Sequence, residues 1–155
     1  MIEQAEHFVE VVSALPDPPR FGATERARRS STRERILVEA SMLFARKGYT
    51  ATTTREIANR VRIRQPSLFH HFSSKSKIMD ELLDHSLTHP TYVAEFLAQA
   101  KGPTAPRLYA CIHFDAKYVL TSPYSLAGLD NDEVMDSPLF LRWRELRARL
   151  HEARK

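Results

Sequence analysis

Between residues 53 and 75 the chain concentrates side chains that can hydrogen-bond to nucleic acid. Four of them fall within seven residues that follow a tight turn: Gln65, Ser67, His70 and His71. Arginines flank this stretch, and its apolar face, formed by Leu68 and Phe72, is narrow. A short helix of this pattern can bury one edge in a small core and lay the other edge in a DNA groove.

A longer amphipathic segment precedes this stretch and would support it. We expect a helix from about Thr32 to Lys47, because apolar residues recur there at spacings of three and four. Gly48 is expected to end it in the left-handed conformation, with Tyr49 packing back on Phe44.

Two signals place the next helices. Thr53 and Glu56 form a capping box, which predicts the start of a second helix. A third is expected over residues 65–72, with Pro66 in its first turn, where the missing N–H costs nothing. A fourth is expected over residues 74–87, with a serine cap.

The rest of the chain is also helical in pattern and shows no strand signal. Prolines interrupt it after residue 15, and a linker with a basic run at Arg26, Arg28 and Arg29 follows. That run could reach DNA or be an ordinary tail. The remaining expected helices cover residues 2–15, 91–100, 105–120 and a final segment from Ser137.

Charge is divided unevenly along the chain. Residues 20 to 77 contain 14 Lys/Arg and 4 Asp/Glu, whereas the other residues contain 9 and 15. A basic module joined to an acidic remainder indicates a polyanionic partner for the basic part alone. The plainer alternative is a solvated basic surface.

Several classes of protein are disfavoured. No apolar run reaches the roughly 18 residues of a membrane span, and the single cysteine excludes an internal disulfide, which suits a reducing cytoplasm. No nucleophile elbow, phosphate-cradling glycine loop or paired-carboxylate signature is present, so we expect neither an enzyme nor a cofactor.

His85 and His89 have a spacing that could hold a metal, but no further ligand accompanies them. Pro90 is expected to end the helix there. Cations at a helix C-terminus are therefore the favoured interpretation, and no metal is expected.

Residues 31–83 resemble the TetR (tetracycline-repressor) family of bacterial regulators. The resemblance rests on ILVEASMLFARKGY, TTTREIA, QPSLFHHF and SSK in this order and spacing. It implies an all-α protein with a helix-turn-helix head over residues 31–77 and a helical ligand-binding and dimerisation domain over 78–155. Residues 1–30 would be an N-terminal extension.

The resemblance also implies roles for particular side chains. Arg55 would contact a base edge or a phosphate, Gln65 an adenine, and Pro66 a thymine methyl. Lys75 would bind a phosphate at the start of the fourth helix. The whole implied DNA-binding set is Thr53, Thr54, Arg55, Gln65, Pro66, Ser67, Phe69, His70, His71 and Lys75.

The chain departs from the family pattern at four places. Arg62 stands where the turn usually has glycine, so we expect an arginine with positive φ there. Arg64 stands where the third helix usually has a serine or threonine cap, so we expect this helix to be held by packing and not by a side-chain cap. Phe69 replaces a tyrosine whose hydroxyl commonly binds phosphate. The chain also stops at Lys155, about two helices before the family's dimer interface is complete, which leaves homodimer formation open.

Aromatic and polar side chains of the later helices could line a pocket for a small-molecule effector. Such residues are more often core than ligand contacts. The candidates are Phe96, Tyr109, His113, Tyr118 and Trp143. Asp115 could cap a helix, pair with a cation or contact an effector, and Cys111 is expected to be a core residue.

These observations predict a sequence-specific DNA-binding regulator, a ligand-responsive repressor that binds a palindromic operator as a homodimer. Two alternatives remain. One is a truncated regulator with weak DNA binding, and the other is a small-molecule-binding helical module whose DNA head is vestigial.

Overall fold

The computed structural model describes residues 2–14, 31–126 and 128–155, and every regular element in these ranges is helical. This confirms the all-α prediction for that part of the chain; the predicted basic linker lies outside it. The α-helices are α1 (Ile2–Ala14), α2 (Thr32–Lys47), α3 (Thr54–Val61), α4 (Gln65–His71), α5 (Lys75–Leu83), α6 (His89–Gln99), α7 (Thr104–Thr121), α8 (Asp132–Met135) and α9 (Leu141–Ala153). A π-helical turn, Asp84–Thr88, joins α5 to α6, and a 3₁₀ turn, Pro138–Phe140, leads into α9.

Helices α2 to α5 form the head, whose buried residues belong to a hydrophobic core that continues into the rest of the molecule. The apolar stripe of α2 packs against α3 and α5, and α4 packs against α3. Burial is complete at the centre, where Ile36, Ile57, Leu68 and Ile78 from the four helices are each 0% exposed. We call α4 the recognition candidate, because it is the short helix predicted to lie in a DNA groove. Its buried residue is Leu68, which packs into the core.

The end of α2 differs from the predicted left-handed cap. Gly48 has φ 85° and ψ 162°, so its φ is positive as expected but its ψ lies outside the left-handed helical region. The positive φ favours glycine, and a Cβ at Gly48 would lie 3.0 Å from the flexible carboxylate of Glu133. Tyr49 does pack on Phe44, as predicted, with ring centroids 5.5 Å apart.

The fourth predicted helix does not end before Pro90, so that prediction is wrong. α5, the π-helical turn and α6 follow one another without a break from Lys75 to Gln99. Proline removes one backbone donor from a helix, and a π turn shifts the hydrogen-bond register immediately before it. With Pro90 in the first turn of α6, directly after this shift, the helix continues.

His85 and His89 consequently lie inside a continuous helical segment and not at a helix C-terminus. The His85 ring packs on Tyr124 with centroids 4.8 Å apart. His89 lies against Phe114 and Tyr118, at 5.0 and 5.5 Å. The interpretation of these histidines as cations at a helix C-terminus is therefore wrong. Both rings pack against aromatic side chains.

Helices α1 and α6 to α9 form the body. The helices pack in the order α1, α7, α6, α9, each against the next. The predicted N-terminal helix is confirmed over residues 2–14, and its Ala5 and Val12 are buried. It packs on α7, so this part of the N-terminal extension lies with the body and not with the head.

The hydrogen bonds that tie the head to the body include one from the Ser125 N–H to Ser41 Oγ of α2 at 3.0 Å. The indole Nε1 of Trp143 in α9 donates to Asp80 Oδ1 of α5 at 2.6 Å. The backbone N–H of Thr50, in the loop after α2, donates to Glu133 Oε1 of α8 at 3.0 Å. The head is therefore held at both a helix and a loop.

Candidate nucleic-acid interface

The predicted capping box fixes the start of α3. Thr53 Oγ1 accepts from the Glu56 N–H at 3.2 Å, and Glu56 Oε2 accepts from the Thr53 N–H at 3.0 Å. The Lys47 ammonium, together with the Thr53 backbone, lowers the pKa of Glu56 from its ordinary 4.5 to about 2. The carboxylate thus stays ionised, and the first turn of α3 stays capped, across the physiological range.

The turn between α3 and α4 contains the left-handed arginine that the sequence predicts. Arg62 has φ 61° and ψ 44°, and is the one non-glycine residue with positive φ in the described part of the chain. The following N–H, of Ile63, donates to Ala58 O at 3.0 Å, which closes the turn. Arg64 occupies the N-cap of α4 and makes no side-chain cap bond there, as expected.

The recognition candidate α4 has one buried edge and one exposed edge. Leu68 is completely buried, and Phe72, just after the helix, is 3% exposed. The other edge presents polar, cationic and apolar groups to solvent, including a Phe69 ring that is 44% exposed. The exposed residues of the helix are Pro66, Phe69, His70 and His71, with Ser67 partly exposed.

A hydrogen bond joins the starts of α3 and α4. Gln65 Nε2 donates to Thr54 Oγ1 at 2.9 Å. The amide keeps its second N–H and its carbonyl oxygen for another partner, so the bond orients the amide without saturating it. Arg55 neighbours Thr54 on α3 and is exposed. The structure thereby places Gln65 beside the first turn of α3, which also carries Arg55.

The cations of the head are divided into paired and unpaired groups. The paired ones are Arg33 with Glu81, Arg35 with the Val61 carbonyl, Lys47 with Glu56, Arg60 with Glu39, and Lys77 with Asp80. Arg46, Arg55, Arg62 and Arg64 have no hydrogen-bond or ion-pair partner among the described residues. Three of these four lie in α3, in the turn or at the start of α4, which concentrates uncompensated charge there.

Lys75 is bonded within the head. Its ammonium donates to Tyr49 O at 2.7 Å and to Thr52 O at 2.8 Å, and lies 4.2 Å from the Tyr49 ring centroid. Burial lowers its pKa below the usual value for lysine. The contact to phosphate remains a prediction, and the structure adds a second role, that of holding the loop between α2 and α3. Sequence reasoning missed this role because the acceptors are backbone carbonyls.

The predicted pocket residues are not gathered in one place. His113 and Tyr118 line a cavity of about 190 Å³ between α1 and α7. Phe96 faces a different groove, Trp143 lies between head and body, and Tyr109 is 55% exposed. Sequence reasoning missed that α1 forms one wall of this cavity, because nothing in the sequence connects residues 2–14 with α7.

Asp115 pairs with a cation, one of the roles considered for it. Its Oδ2 accepts from Arg154 at 2.6 Å. Burial raises the pKa of Asp115 and outweighs the opposing effect of Arg154. Cys111 is buried, as predicted, and burial raises the pKa of its thiol as well. A raised pKa keeps the Cys111 thiol protonated, so Cys111 does not have the character of an activated nucleophile.

Two helices joined by a tight turn, with the second presenting an exposed polar edge and unpaired arginines beside it, define a helix-turn-helix DNA-binding fold. Residues 36–82 match the family model described as bacterial regulatory proteins, tetR family. The match covers most of the head, so this part of the chain is similar to the DNA-binding heads of TetR-family regulators.

Known proteins agree with that assignment. The chain is 43% identical over 69 residues to the HTH-type transcriptional repressor KstR2 of Rhodococcus jostii (strain RHA1), which is 44% of this chain and 32% of that protein. The crystal structure of Mycobacterium smegmatis AmtR superposes with a TM-score of 0.72 at 37% identity, over 84% of this chain and 63% of that one. PfmR of Thermus thermophilus, a TetR family transcriptional regulator, superposes with a TM-score of 0.63 at 29% identity, over 77% and 66%.

The chain thus spans about a third of the length of the curated relative KstR2. The match to AmtR covers most of the chain and therefore extends into the body. The match to KstR2 spans 69 residues, which is little more than the length of the head. No helix in the described ranges is long and apolar enough to cross a membrane.

Proposed function

We propose that this protein is a sequence-specific DNA-binding transcriptional regulator that represses by occupying an operator. The observation that carries the proposal is the division of charge in the head. Cations elsewhere in the head are mostly paired, whereas Arg55, Arg62 and Arg64 around the helix-turn-helix are not. The name of KstR2 as a transcriptional repressor supports the same conclusion.

In the proposed complex α4 lies in the major groove and reads base edges. The Arg55 fork pairs with guanine O6 and N7, and the Gln65 amide, oriented by Thr54, pairs with adenine N6 and N7. The exposed Phe69 and Pro66 supply apolar surface for thymine methyl groups.

Phosphate contacts would hold this helix in register. The proposed partners are Thr53, Thr54, Ser67, His70, His71 and Lys75. Phosphate contacts position a protein on DNA without identifying the bases. Binding is therefore expected to weaken steeply with salt.

We further propose that two copies bind together, one head on each half-site of a palindrome. Support comes from α7, whose solvent face is apolar: Ala105, Leu108, Tyr109, Ile112, Ala116, Val119 and Leu120 are all exposed. With two antiparallel α7 helices related by a two-fold axis at Ile112, Leu108 lies opposite the partner's Ala116, so large residues meet small ones. Such a self-complementary face suits an isologous contact.

The homodimer is tested by sedimentation equilibrium of Ile112→Lys. Ile112 is 59% exposed, so the variant should fold normally and become monomeric. A wild-type protein that is already monomeric at high concentration would overturn this part of the proposal.

A small-molecule effector is the proposed signal, acting through the contacts between body and head. The cavity of about 190 Å³ between α1 and α7 combines apolar and basic residues, among them Phe114, His113 and Lys117. Glu133 of α8 touches the head directly at Thr50. A ligand in the cavity would contact α7 and His89 of α6, and because α6 continues the helical segment that begins with α5, a shift of α6 would change the position of the head.

The function is tested by selecting bound duplexes from a random DNA library at about 0.1 M salt, where phosphate attraction is partly screened. An enriched palindrome would support both sequence reading and a two-fold assembly. An enriched half-site would support a DNA-reading monomer. No enrichment by the folded protein would contradict the proposal and favour the alternative, a ligand-binding helical module with a vestigial head.

A further inference from the structure

The two residues that lead into α4 are each unfavourable for local structure. Arg62 adopts the left-handed conformation at φ 61°, which residues with a Cβ seldom adopt and glycine adopts freely. Arg64 holds the N-cap of α4, where a serine or threonine would accept a hydrogen bond and arginine makes none. A glycine and a serine at these positions would favour the same turn and the same helix.

Both side chains are nevertheless free to act outside the protein. Arg62 and Arg64 are exposed, and neither guanidinium has a hydrogen-bond or ion-pair partner in the described part of the chain. Arg60, two residues earlier, is instead bonded to Glu39 at 3.0 Å. The contrast within five residues shows that pairing is available nearby, yet these two side chains do not take part in it.

The residue between them fixes their direction. Ile63 is partly buried against the core, and its N–H is bonded to Ala58 O at 3.0 Å. Arg62 and Arg64 therefore stand on either side of an anchored residue, and both project to solvent directly before Gln65. Local conformations that cost stability and persist beside a site are a recognised sign of function.

We propose that Arg62 and Arg64 form a phosphate clamp, a pair of guanidinium groups that bind DNA backbone phosphates at the start of the recognition helix. This inference rests on the proposed DNA-binding function. A guanidinium fork matches two phosphate oxygens and stays charged at all physiological pH values. The clamp sets the depth and register of α4 in the groove and contributes equally on every DNA sequence.

The clamp makes an unusual combined prediction, because its removal improves the fold. Arg62→Gly relieves the left-handed arginine and Arg64→Ser adds the missing cap, so each should raise Tm by about 2–4 °C. Each should also weaken binding to a mixed-sequence 30-base-pair duplex by about threefold to tenfold at 0.1 M salt. The slope of log Kd against log salt should fall by about 1 for each arginine lost per head.

Two control variants separate a phosphate contact from other effects of charge. Arg62→Lys keeps the charge and the left-handed conformation but lacks the guanidinium fork, so it should retain the salt slope and lose part of the affinity. Arg60→Gln removes the same charge from the nearby ion pair with Glu39, and should leave the salt slope unchanged.

The outcomes distinguish this inference from the function on which it rests. Higher Tm with weaker binding and a shallower salt slope supports the clamp. Unchanged binding and slope in the double variant Arg62→Gly/Arg64→Ser, with the wild type binding DNA, overturns the clamp alone. A wild-type protein that binds no duplex at any salt concentration overturns both.

Discussion

The head and the body differ in how completely they cover their apolar residues. In the head, Ile36, Ile57 and Leu68 are fully buried. In the body, α7 exposes Ile112 and Leu120, which are 59% and 84% accessible. The head covers its apolar residues, whereas the body presents an apolar face that suits a second protein surface.

The head and the body also differ in how their charged side chains are paired. In the body the arginines near α7 and α6 are paired, Arg154 with Asp115 and Arg149 with Glu95. The head leaves cations uncompensated around α4. The comparison teaches that the head covers its apolar residues and concentrates unpaired cations around α4, whereas the body exposes apolar surface on α7, as expected if one meets DNA and the other meets protein.

The largest expected effect on stability comes from a comparison of a buried leucine in the head with an exposed leucine in the body. Leu68→Ala should destabilise the protein by about 3 kcal/mol, because it leaves a cavity under the recognition helix. Leu120→Ala, on the exposed face of α7, should change the free energy of unfolding by less than about 0.5 kcal/mol. Urea unfolding followed by circular dichroism measures both, and similar losses would contradict the contrast in packing.

The next effect concerns Lys75. Lys75→Met should destabilise by about 2 kcal/mol, because the carbonyls of Tyr49 and Thr52 lose a charged donor. Lys77→Met is the matched control, since that side chain is 62% exposed and makes only a surface ion pair with Asp80. Equal stability of the two variants would show that Lys75 does not hold the loop.

A smaller effect is expected at the junction of head and body. Trp143→Phe removes the donor to Asp80 and part of a buried ring, and should cost about 1–2 kcal/mol. Tyr109→Phe, at an exposed position of α7, serves as the control and should be neutral. If Trp143→Phe unfolds at the same urea concentration as the wild type, the junction does not stabilise the two regions jointly.

The smallest effect is a pH dependence in the body. Burial raises the pKa of Asp115 in the folded protein above its unfolded value of 3.8. The folded state then binds the proton more tightly, so stability falls as pH rises through this window. Asp115→Asn should therefore have a slightly higher Tm than the wild type at pH 7 and no advantage at pH 3. A lower Tm at pH 7 would mean that the Arg154 pair outweighs burial.

The sequence predicted the head well because its signals are local. The capping box at Thr53 and Glu56, the helix around Pro66 and the positive φ of Arg62 each depend on a few neighbouring residues, and all were confirmed. The prediction that Pro90 ends a helix was wrong. Proline usually ends a helix, but here a π turn precedes it and the helix continues. Local rules describe the usual helix and do not anticipate a change of register.

Long-range pairings were the part that sequence could not supply. The bond of Lys75 to the Tyr49 carbonyl, the junction from Trp143 to Asp80 and the packing of α1 on α7 join residues far apart in the chain. Nothing in their spacing marks them as partners. The sequence was enough to predict which residues form the candidate DNA-contacting surface. Which of the cations are paired and which are unpaired could be established only from the fold.

The central claim is that the head reads base sequence, and Arg55→Ala tests it most directly. With a duplex enriched from the random library, the variant should bind about 10- to 100-fold more weakly than the wild type, because one bidentate base contact is lost. With a shuffled duplex of equal length the two proteins should differ by about threefold or less, as expected for loss of a single charge. Equal losses on both duplexes would contradict sequence reading by Arg55 and reduce the head to a general polyanion-binding surface.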